Sequence, residues 1–331
     1  MALRALTGIK PTGEPHMGNW LGAIKPALGL AEKYDTFYFI ADYHALNAVQ
    51  DPQVLRRHTL SITATYLALG LDPARSVFYR QSDVPEIMEL AWILSCFTPK
   101  GLMNRAHSYK DAVAKNEEQK NDPDFNVNMG LFCYPVLMAA DILMFRANIV
   151  PVGQDQKQHL EIARDIAERF NHNYKTDLFV LPEPRIDDQV KTIIGLDGRK
   201  MSKSYDNTIP LFLDEKPLLK RINQIVTNSQ TPEEPKDPDT SSVFALHRVL
   251  VDAEEEKAVR AKYKAGGMGW GAAKKDFFET LNAKLQGPRQ EYLRLMADPG
   301  ALQGILSKGR DRARAEASVF LTQIRTTIGL Q

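Results

Sequence analysis

The chain has 331 residues, of which 44% are hydrophobic and 25% are charged, so it can bury a full core and has room for one large domain and a smaller one. It contains neither an apolar run near the ~20 residues that span a membrane nor the residue order of a signal peptide, which predicts a globular cytoplasmic protein without a membrane partner. Its two cysteines, Cys96 and Cys133, lie far apart and lack zinc-binding spacing, which argues against a metal site and a disulfide framework.

Charge is distributed unevenly along the chain, although 42 Lys and Arg nearly balance 41 Asp and Glu. Residues 257–331 contain 14 basic and 6 acidic residues, a net +8, whereas residues 1–256 contain 28 and 35, a net −7. A polyanion would therefore meet the C-terminal part of the chain first.

The first predicted strand, residues 2–9, leads into a glycine-rich turn within the segment Thr7–Gly22, TGIKPTGEPHMGNWLG. Three of its glycines let the backbone approach a ligand closely, and the amides that open a helix predicted over residues 19–33 point at an anion. His16 adds a directed donor, and Asn19 can place a neutral amide donor beside the same anion. The segment indicates a phosphate site, although a glycine-rich surface turn with an incidental histidine explains it equally well.

Strands and helices then alternate in the manner of βαβ units. Strands are predicted at residues 37–41 and 76–81, and helices at 52–71 and 85–97. This alternation predicts a Rossmann-like, doubly wound parallel α/β sheet. Asp42-Tyr43-His44 directly follows a strand, at the edge where open α/β sheets bind ligands, so His44 is a candidate site residue unless it merely caps a turn.

The segment Lys100–Asn128 turns polar, with Lys110, Lys115 and Lys120 among Asn and Asp residues. This composition predicts a flexible segment over the site. A solvated loop without a function is the alternative.

The segment Tyr134–Phe145, YPVLMAADILMF, is apolar except for Asp141. A carboxylate is costly to bury without a donor, so Asp141 needs a partner. Tyr134, Met138 and Asp141 share one helical face and would form the wall of a pocket. An ion pair with a core arginine, or a helix terminus, is the structural alternative.

The next predicted strand, residues 148–152, ends at the turn Gly153–His159, which opens a helix reaching Phe170. Asp155 is placed to accept hydrogen bonds from ribose hydroxyls, and Gly153 lets the sugar lie against the backbone. Helix capping alone explains Asp155 less fully.

The motif KMSKS, Lys200–Ser204, follows a turn at Asp197-Gly198. Two lysines three residues apart on a mobile loop suit the charge of a leaving pyrophosphate, although a solvated basic loop is possible. Beyond it the patterns are helical, interrupted by a predicted exposed connector at 232–238 and a turn at 266–271. We therefore predict a catalytic domain at 1–205 and a smaller all-helical domain at 206–331, whose last helix, about 300–328, could pack back on the first.

HxGN at residues 16–19 and KMSKS at 200–204, in this order, resemble the nucleotide-binding signature of class I aminoacyl-tRNA synthetases. Over essentially its whole length the chain resembles the bacterial-type tryptophanyl-tRNA synthetases. The matching segments are TGIKPTGEPHMGN, ADYHALN, YPVLMAADIL, IVPVGQDQKQHLEIARDIAERFN and KMSKSYDN. MAADIL and VPVGQDQKQH distinguish this family from the tyrosyl enzymes.

The resemblance implies a pocket in which Asp141 accepts the indole N–H of tryptophan. The other implied tryptophan contacts are Met138, Val150 and Val152 around the ring, Tyr134 and Gln156 at the ammonium group, and His44 beside them. The implied ATP contacts are Lys10, Pro11, Thr12, Gly18, Asn19, Gly153, Gln154, Asp155, Ile193, Lys200, Met201, Ser202, Lys203 and Ser204.

The same resemblance implies that His16 and Asn19 serve the α-phosphate, while Lys200 and Lys203, with Mg²⁺, serve the leaving pyrophosphate. A pyrophosphate-binding lysine of the relatives falls on Ala112. Either Lys110 or Lys115 could take that role.

The implied activity is tryptophan–tRNA ligation, in which ATP activates L-tryptophan before its transfer to tRNA(Trp). The implied partners are tRNA(Trp), bridging a homodimer and bound at the anticodon by residues after 205, and no DNA. The charge pattern suggests Arg310, Arg312 and Arg314 as part of the tRNA surface, although their spacing allows some of them to face the core or to form structural ion pairs. The alternative basic surface is Lys257, Arg260, Lys262 and Lys264, or Lys274 and Lys275. A tyrosyl-tRNA synthetase and a non-catalytic RNA-binding paralogue are the rival interpretations.

Overall fold

The computed structural model describes residues 3–153, 156–185 and 193–330, and in this part of the chain five strands form one sheet. The strands are β1 (Arg4–Ile9), β2 (Asp35–Ile40), β3 (Val77–Arg80), β4 (Ile149–Pro151) and β5 (Glu183–Arg185). All neighbours are parallel, in the order β3-β2-β1-β4-β5. This is the order of a doubly wound nucleotide-binding sheet, so the predicted fold class is confirmed.

The sequence did not predict β5, which is only three residues long and contains Pro184. Proline cannot donate to a ladder, and it is tolerated here because β5 is an edge strand. β5 pairs with β4 from Ile149↔Glu183 to Pro151↔Arg185.

Helices cover both faces of the sheet. Up to residue 174 they are α1 (Met17–Asn19), α2 (Lys25–Leu28), α3 (Asp42–Ala45), α4 (Pro52–Ala68), α5 (Glu86–Ser95), α6 (Lys100–Met103), α7 (His107–Glu118), α8 (Met129–Met144) and α9 (Lys157–Tyr174). Successive strand residues point to opposite faces. Phe37 and Phe39 of β2 therefore pack in a core with α5, α8 and α9, whereas Tyr38 and Ile40 pack with α4 on the other face.

The strand order reverses around β1, which pairs with β2 on one side and with β4 on the other. A crevice opens outside the carboxyl ends of the strands at such a point. The segments that follow Ile9, Ile40, Arg80 and Pro151 consequently meet at one edge of the sheet.

The helix predicted over residues 19–33 is not one regular helix. A π-helical turn at Trp20–Ile24 separates α1 from α2, and a 3₁₀ turn follows at Gly29–Glu32. Pro26 lacks an N–H, and its ring would crowd the carbonyl one turn earlier in a regular helix. The wider turn relieves this conflict directly beside the glycine-rich loop.

The prediction of a flexible segment between Lys100 and Asn128 was wrong, because the segment contains α6 and α7. Tyr109 of α7 packs edge-on against Phe132 of α8, with ring centroids 5.1 Å apart. The amide of His107 donates to Gln158 Oε1 at 2.8 Å, which caps the start of α7 from α9. These tertiary contacts order a helix that buries none of its own side chains.

The C-terminal part of the chain is helical. Its helices are α10 (Glu215–Asn223), α11 (Ser242–His247), α12 (Ala253–Ala265), α13 (Trp270–Met296) and α14 (Pro299–Ile328). Their core contains Leu218, Phe244 and Phe277, and it also takes in Met17 and Met201 from the two motif segments. The helical region is thereby packed directly against the predicted nucleotide loops.

The connector at 232–238 is not wholly exposed, contrary to the prediction. Lys236 is 2% exposed, and its ammonium donates to the carbonyl oxygens of Thr231 at 3.0 Å and Glu234 at 3.2 Å. The same ammonium lies 5.3 Å from the centre of the Trp270 ring. A lysine can be buried here because backbone oxygens and an aromatic face replace its water.

Helix α14 lies against β3. A Cβ built on Gly309 would be 1.7 Å from the carbonyl oxygen of Phe78, so only glycine permits this approach. Arg312 donates to the carbonyl oxygens of Pro73 and Ser76 at 3.0 and 2.9 Å, and Arg314 donates twice to Glu86 at 3.0 Å. Two of the three arginines suggested for a tRNA surface thus attach α14 to the first part of the chain, which is the structural role that their spacing also allowed.

None of the described helices is long and apolar enough to cross a membrane.

Candidate active site

His16 and Asn19 hold each other in a reciprocal cap at the start of α1. Asn19 N donates to His16 Nδ1 at 3.3 Å, and His16 N donates to Asn19 Oδ1 at 3.1 Å. This network assigns the proton of a neutral His16 ring to Nε2 and leaves the Asn19 NH₂ group as a donor. Both motif side chains can therefore offer an N–H to an anion.

Burial of the His16 ring lowers its pKa from 6.5 to about 4, and the positive charge of Lys203 adds to the effect. The ring is consequently neutral at pH 7. His16 can act as a hydrogen-bond donor, but it adds no positive charge.

Gly18 makes room for this histidine. A Cβ built on Gly18 would lie 3.0 Å from His16 Nδ1 and 3.4 Å from Met201 Cβ. The Gly18 amide also donates to Met201 Sδ at 3.3 Å. A side chain at this position would push apart the imidazole and the KMSKS segment.

The two motif segments meet although they are far apart in sequence. Met17 N donates to Ile209 O at 2.9 Å, and Leu211 N donates to Pro15 O at 3.2 Å. A Cβ built on Gly13 would lie 2.9 Å from Lys203 Nζ. The pKa of Lys203 is lowered by desolvation, which the charge of Glu14 opposes.

Asn207 holds the KMSKS segment in shape, and the sequence analysis assigned it no role. Its Oδ1 accepts from Ser202 N at 2.7 Å, and its Nδ2 donates to Asp197 Oδ1 at 2.7 Å and to Lys200 O at 3.1 Å. Lys200 and Lys203 are both exposed beside this buried asparagine. An asparagine directly after a functional loop is the signal that could have identified it.

The other predicted ATP contacts follow β1 and β4 or border the KMSKS segment. Lys10 and Thr12 form a turn in which Thr12 N donates to Lys10 O at 2.9 Å, with Pro11 buried between them. Met201 N donates to Ile193 O at 2.9 Å. Ser204 N donates to Ser202 Oγ at 3.3 Å. Gly153 follows β4, whereas Gln154 and Asp155 lie outside the described residues.

Asp141 is completely buried, 0% exposed, in the middle of α8. Its Oδ1 and Oδ2 both accept from Gln81 Nε2 at 2.8 Å, and Oδ2 also lies 3.1 Å from His44 Nε2. Within the described ranges it has no ion pair with a lysine or arginine. Burial raises the pKa of Asp141, and the contacts with His44 and Gln81 oppose that shift.

The family model described as "tRNA synthetases class I (W and Y)" matches residues 1–286. The chain belongs to this family. Its predicted relationship to the class I synthetases is thereby confirmed.

Relatives place the chain in the bacterial tryptophanyl branch of this family. It is 51% identical to the tryptophan–tRNA ligase of Neisseria meningitidis over 331 residues, which cover 99% of this chain and 98% of that protein. It is 52% identical to the tryptophan–tRNA ligase of Pseudomonas aeruginosa over 335 residues, covering 100% of this chain and 75% of that one.

A solved structure shows the same fold. The crystal structure of the Campylobacter jejuni tryptophanyl-tRNA synthetase, complexed with ADP and tryptophan, superposes with a TM-score of 0.91. That chain is 46% identical, and the match covers 99% of this chain and all of that one.

This member of the synthetase family brings most of the predicted tryptophan contacts together. Val150 is buried, and Met138 and Val152 are half-buried in the same apolar cluster as α8 and α9. The rings of His44 and Tyr134 meet edge-on, with centroids 5.9 Å apart. Of these side chains, His44 also contacts the Asp141 carboxylate, at 3.1 Å.

Tyr134 and Gln156 are joined through His159, which the sequence analysis missed. Tyr134 Oη lies 2.8 Å from His159 Nε2, and His159 Nδ1 lies 3.0 Å from Gln156 Oε1. His159 is 2% exposed in the first turn of α9. A histidine on the apolar face of a helix needs a hydrogen-bond partner, which is the signal that could have identified His159. The sequence alone does not show which residue is that partner.

Gln81 was also missed, although it directly follows β3 just as Asp42 and His44 follow β2. The rule that placed His44 at the binding edge applies equally to it. Asp42 reinforces the same edge by accepting from Ser82 N at 2.9 Å and from Ser82 Oγ.

Lys110 and Lys115 are exposed on α7, and Ala112 is half-buried between them. The two lysines are five positions apart, so they point to different sides of the helix. At most one of them can face a given ligand.

Proposed function

We propose that this protein is a ligase that joins L-tryptophan to tRNA(Trp). It first activates tryptophan with ATP, forming tryptophanyl-adenylate and pyrophosphate. The observation that carries this proposal is Asp141, a fully buried carboxylate that contacts Gln81 and His44 and has no ion pair with a lysine or arginine in the described part of the chain. Tryptophan suits such a pocket, because its side chain is apolar and has a single N–H to donate.

The nucleotide residues support in-line attack of the tryptophan carboxylate on the α-phosphorus of ATP. An oxygen–phosphorus bond forms as the bond to pyrophosphate breaks, so positioning and charge stabilisation matter more than a covalent nucleophile. His16 Nε2–H and the Asn19 amide would donate to the α-phosphate. Lys200 and Lys203 would follow the negative charge onto the pyrophosphate.

The amino-acid residues support recognition of both ends of tryptophan. Asp141 would accept the indole N–H while Met138, Val150 and Val152 contact the ring. Tyr134 and Gln156, linked through His159, would hold the ammonium group, with His44 next to them. A site that requires an N–H leaves its carboxylate unpaired with phenylalanine, and comparable sites discriminate by roughly 10⁴–10⁵.

Adenosine and phosphate binding is assigned to the predicted ATP contacts at the carboxyl ends of β1 and β4. MgATP is the proposed substrate form. We propose that a Mg²⁺ ion is held mainly by the phosphates of ATP, as is usual for this ion. The ion would neutralise phosphate charge. For pyrophosphate, Lys110→Ala and Lys115→Ala, tested separately by exchange kinetics, would show which lysine of α7 contributes.

The helical region after residue 205 is proposed to bind the anticodon arm of tRNA. On α12, Lys257, Arg260 and Lys262 are each paired with an acid in the free protein, whereas Lys264 is exposed near the turn at 266–271. If Lys264 meets a phosphate, Lys264→Ala should weaken tRNA binding and make its salt dependence shallower by about one unit. An unchanged slope would place the basic footprint elsewhere. A tRNA-charging role also supports a cytoplasmic location, which cell fractionation can check.

A homodimer is proposed through the exposed side of α5. Met88 and Trp92 lie one turn apart there, 41% and 72% exposed, and neighbouring large apolar side chains on a surface favour a protein interface. Sedimentation of the wild type and of Trp92→Glu measures this directly. A monomeric wild type would contradict the proposal.

ATP–pyrophosphate exchange with each of the twenty amino acids tests the main proposal. Exchange that depends on tryptophan supports it, and exchange that depends on tyrosine would favour the tyrosyl alternative. No exchange with any amino acid would favour a non-catalytic RNA-binding paralogue. Charging of tRNA(Trp) with labelled tryptophan then tests the second step.

A further inference from the structure

Gln81 is a fully buried amide, 0% exposed, whose bonds connect two segments of the binding edge. Its Oε1 accepts from Tyr43 N at 3.2 Å, and its Nε2 donates to both carboxylate oxygens of Asp141 at 2.8 Å. We infer that Gln81 is a positioning residue that aims the Asp141 carboxylate at the substrate N–H. This inference rests on the proposed tryptophan pocket.

The orientation of the amide is determined by its neighbours. A backbone N–H can only donate, so the Gln81 atom facing Tyr43 N is the oxygen. The NH₂ group must then face Asp141, where a flipped amide would set oxygen against oxygen. Tyr43 belongs to α3 together with His44, so one short helix fixes both donors of the carboxylate.

The distances also determine which part of the carboxylate stays available. Because Gln81 Nε2 is 2.8 Å from both oxygens, it lies in front of the carboxylate and uses the inner acceptor position of each oxygen. His44 takes a second position on Oδ2. Since a carboxylate offers about four acceptor positions, the outward side of Oδ1 remains for a further N–H. Gln81 thereby gives a single direction to the substrate bond.

Loss of the Gln81 donor should affect Asp141 in two ways. The carboxylate could rotate, and its pKa, already raised by burial, would rise further. The titratable groups that interact with it are His44 and Asp42, together with the Tyr79 hydroxyl on β3. In the described part of the chain no lysine or arginine pairs with Asp141 that could replace the missing donor, so the loss should appear in tryptophan binding and not in ATP binding.

The first test compares Gln81→Met with Tyr79→Phe in the full chain, using tryptophan and benzothienylalanine, in which sulfur replaces the indole N–H. We expect the wild type to prefer tryptophan by about 10- to 100-fold, the range of a hydrogen bond to a charged group. Gln81→Met should raise the KM for tryptophan by a similar factor, change kcat little, and reduce that preference to a few-fold. Tyr79→Phe removes a buried hydroxyl that has no partner among the described residues and should keep the preference.

The second test uses Gln81→Glu, which keeps the size of the side chain. At pH 8 the new carboxylate should repel Asp141 and raise the KM for tryptophan. As the pH falls toward 6, the pair should retain one proton, whose O–H can replace the lost donor. The KM of this variant should therefore decrease on acidification, while that of the wild type should not.

Folded Gln81→Met protein with an unchanged preference for tryptophan over the sulfur analogue would overturn the inference. If that variant does not fold, a Gln81→Glu variant whose KM does not improve on acidification would overturn it. Asp141→Asn distinguishes failure of the Gln81 role from failure of the tryptophan pocket. If Asp141→Asn loses the preference for tryptophan over the sulfur analogue and Gln81→Met keeps it, only the positioning role of Gln81 is rejected. If both variants keep the preference, the tryptophan pocket itself is rejected.

Discussion

The nucleotide loops and the proposed tryptophan pocket occupy the same edge of the sheet, but they treat charge in opposite ways. Lys200 and Lys203 are exposed, and His16 is neutral. Asp141 is entirely buried and is bonded by the neutral amide of Gln81 and by His44. Cations thus lie at the surface in one half of the site, while an anion is buried in the other.

The difference follows from what each half must recognise. Charge on a departing pyrophosphate develops during the reaction, so flexible ammonium groups can follow it. An indole N–H is present from the start and is weakly polar. Only a desolvated and well-oriented acceptor gains enough free energy from this hydrogen bond to discriminate against other amino-acid side chains.

The largest expected effect tests the nucleotide half. Lys200→Ala and Lys203→Ala should each slow adenylate formation by about 10²–10³-fold, while the dissociation constant for tryptophan changes by less than about twofold. The lost charge interaction belongs to the transition state, so pre-steady-state kinetics should detect it. Lys33→Ala, an exposed lysine at the opposite edge of the sheet, is the control. Equal losses in rate and tryptophan affinity would contradict the separation of the two halves.

Asp141→Asn tests the pocket half. The amide can turn its NH₂ toward the substrate, so tryptophan binding should weaken by about 1.5–3 kcal/mol while ATP binding persists. Isothermal titration calorimetry with each ligand measures both. An unchanged tryptophan affinity would remove Asp141 from the pocket.

Arg312→Ala tests whether both halves depend on the same scaffold. Its bonds to the carbonyl oxygens of Pro73 and Ser76 hold α14 beside β3, and their loss should reduce the free energy of unfolding by about 1–2 kcal/mol. Arg310→Ala is the matched control, because Arg310 pairs only with the adjacent Asp311 in the described structure and should change stability by less than about 0.5 kcal/mol. Chemical denaturation compares the stability of the two variants. Normal stability of Arg312→Ala together with reduced tRNA affinity would instead place Arg312 on the tRNA surface.

The smallest expected effect concerns the pH dependence of His16. Because its pKa is lowered from 6.5 to about 4, the folded ring stays neutral between pH 5 and 8. The ATP-dependent rate should therefore show no acid limb near 6.5 from this residue. The stability of the protein, in contrast, should depend on pH. As pH falls below 6.5, His16 takes up a proton in the unfolded chain but not in the folded protein, so the free energy of unfolding falls toward pH 4. His16→Gln should flatten that stability profile, and an unaltered profile would reject the low pKa.

The sequence by itself determined the parallel α/β fold and the two nucleotide motifs. The fold follows from alternating strand and helix patterns, which depend on neighbouring residues. The motifs depend on glycine, histidine, asparagine and lysine at fixed short spacings, and the backbone conformation they require is local. Asp141 was detectable because a single acid in an apolar helix must have a partner.

Only the tertiary structure decided which partners those residues have. It paired Asp141 of α8 with Gln81 from the turn after β3, linked Tyr134 to Gln156 through His159, and used Arg312 and Arg314 to attach α14. It also ordered α7 through contacts with α8 and α9. The physical reason is that the hydrogen bonds of buried polar groups join segments distant in sequence, so the choice among equally polar residues is made by packing geometry and not by local pattern.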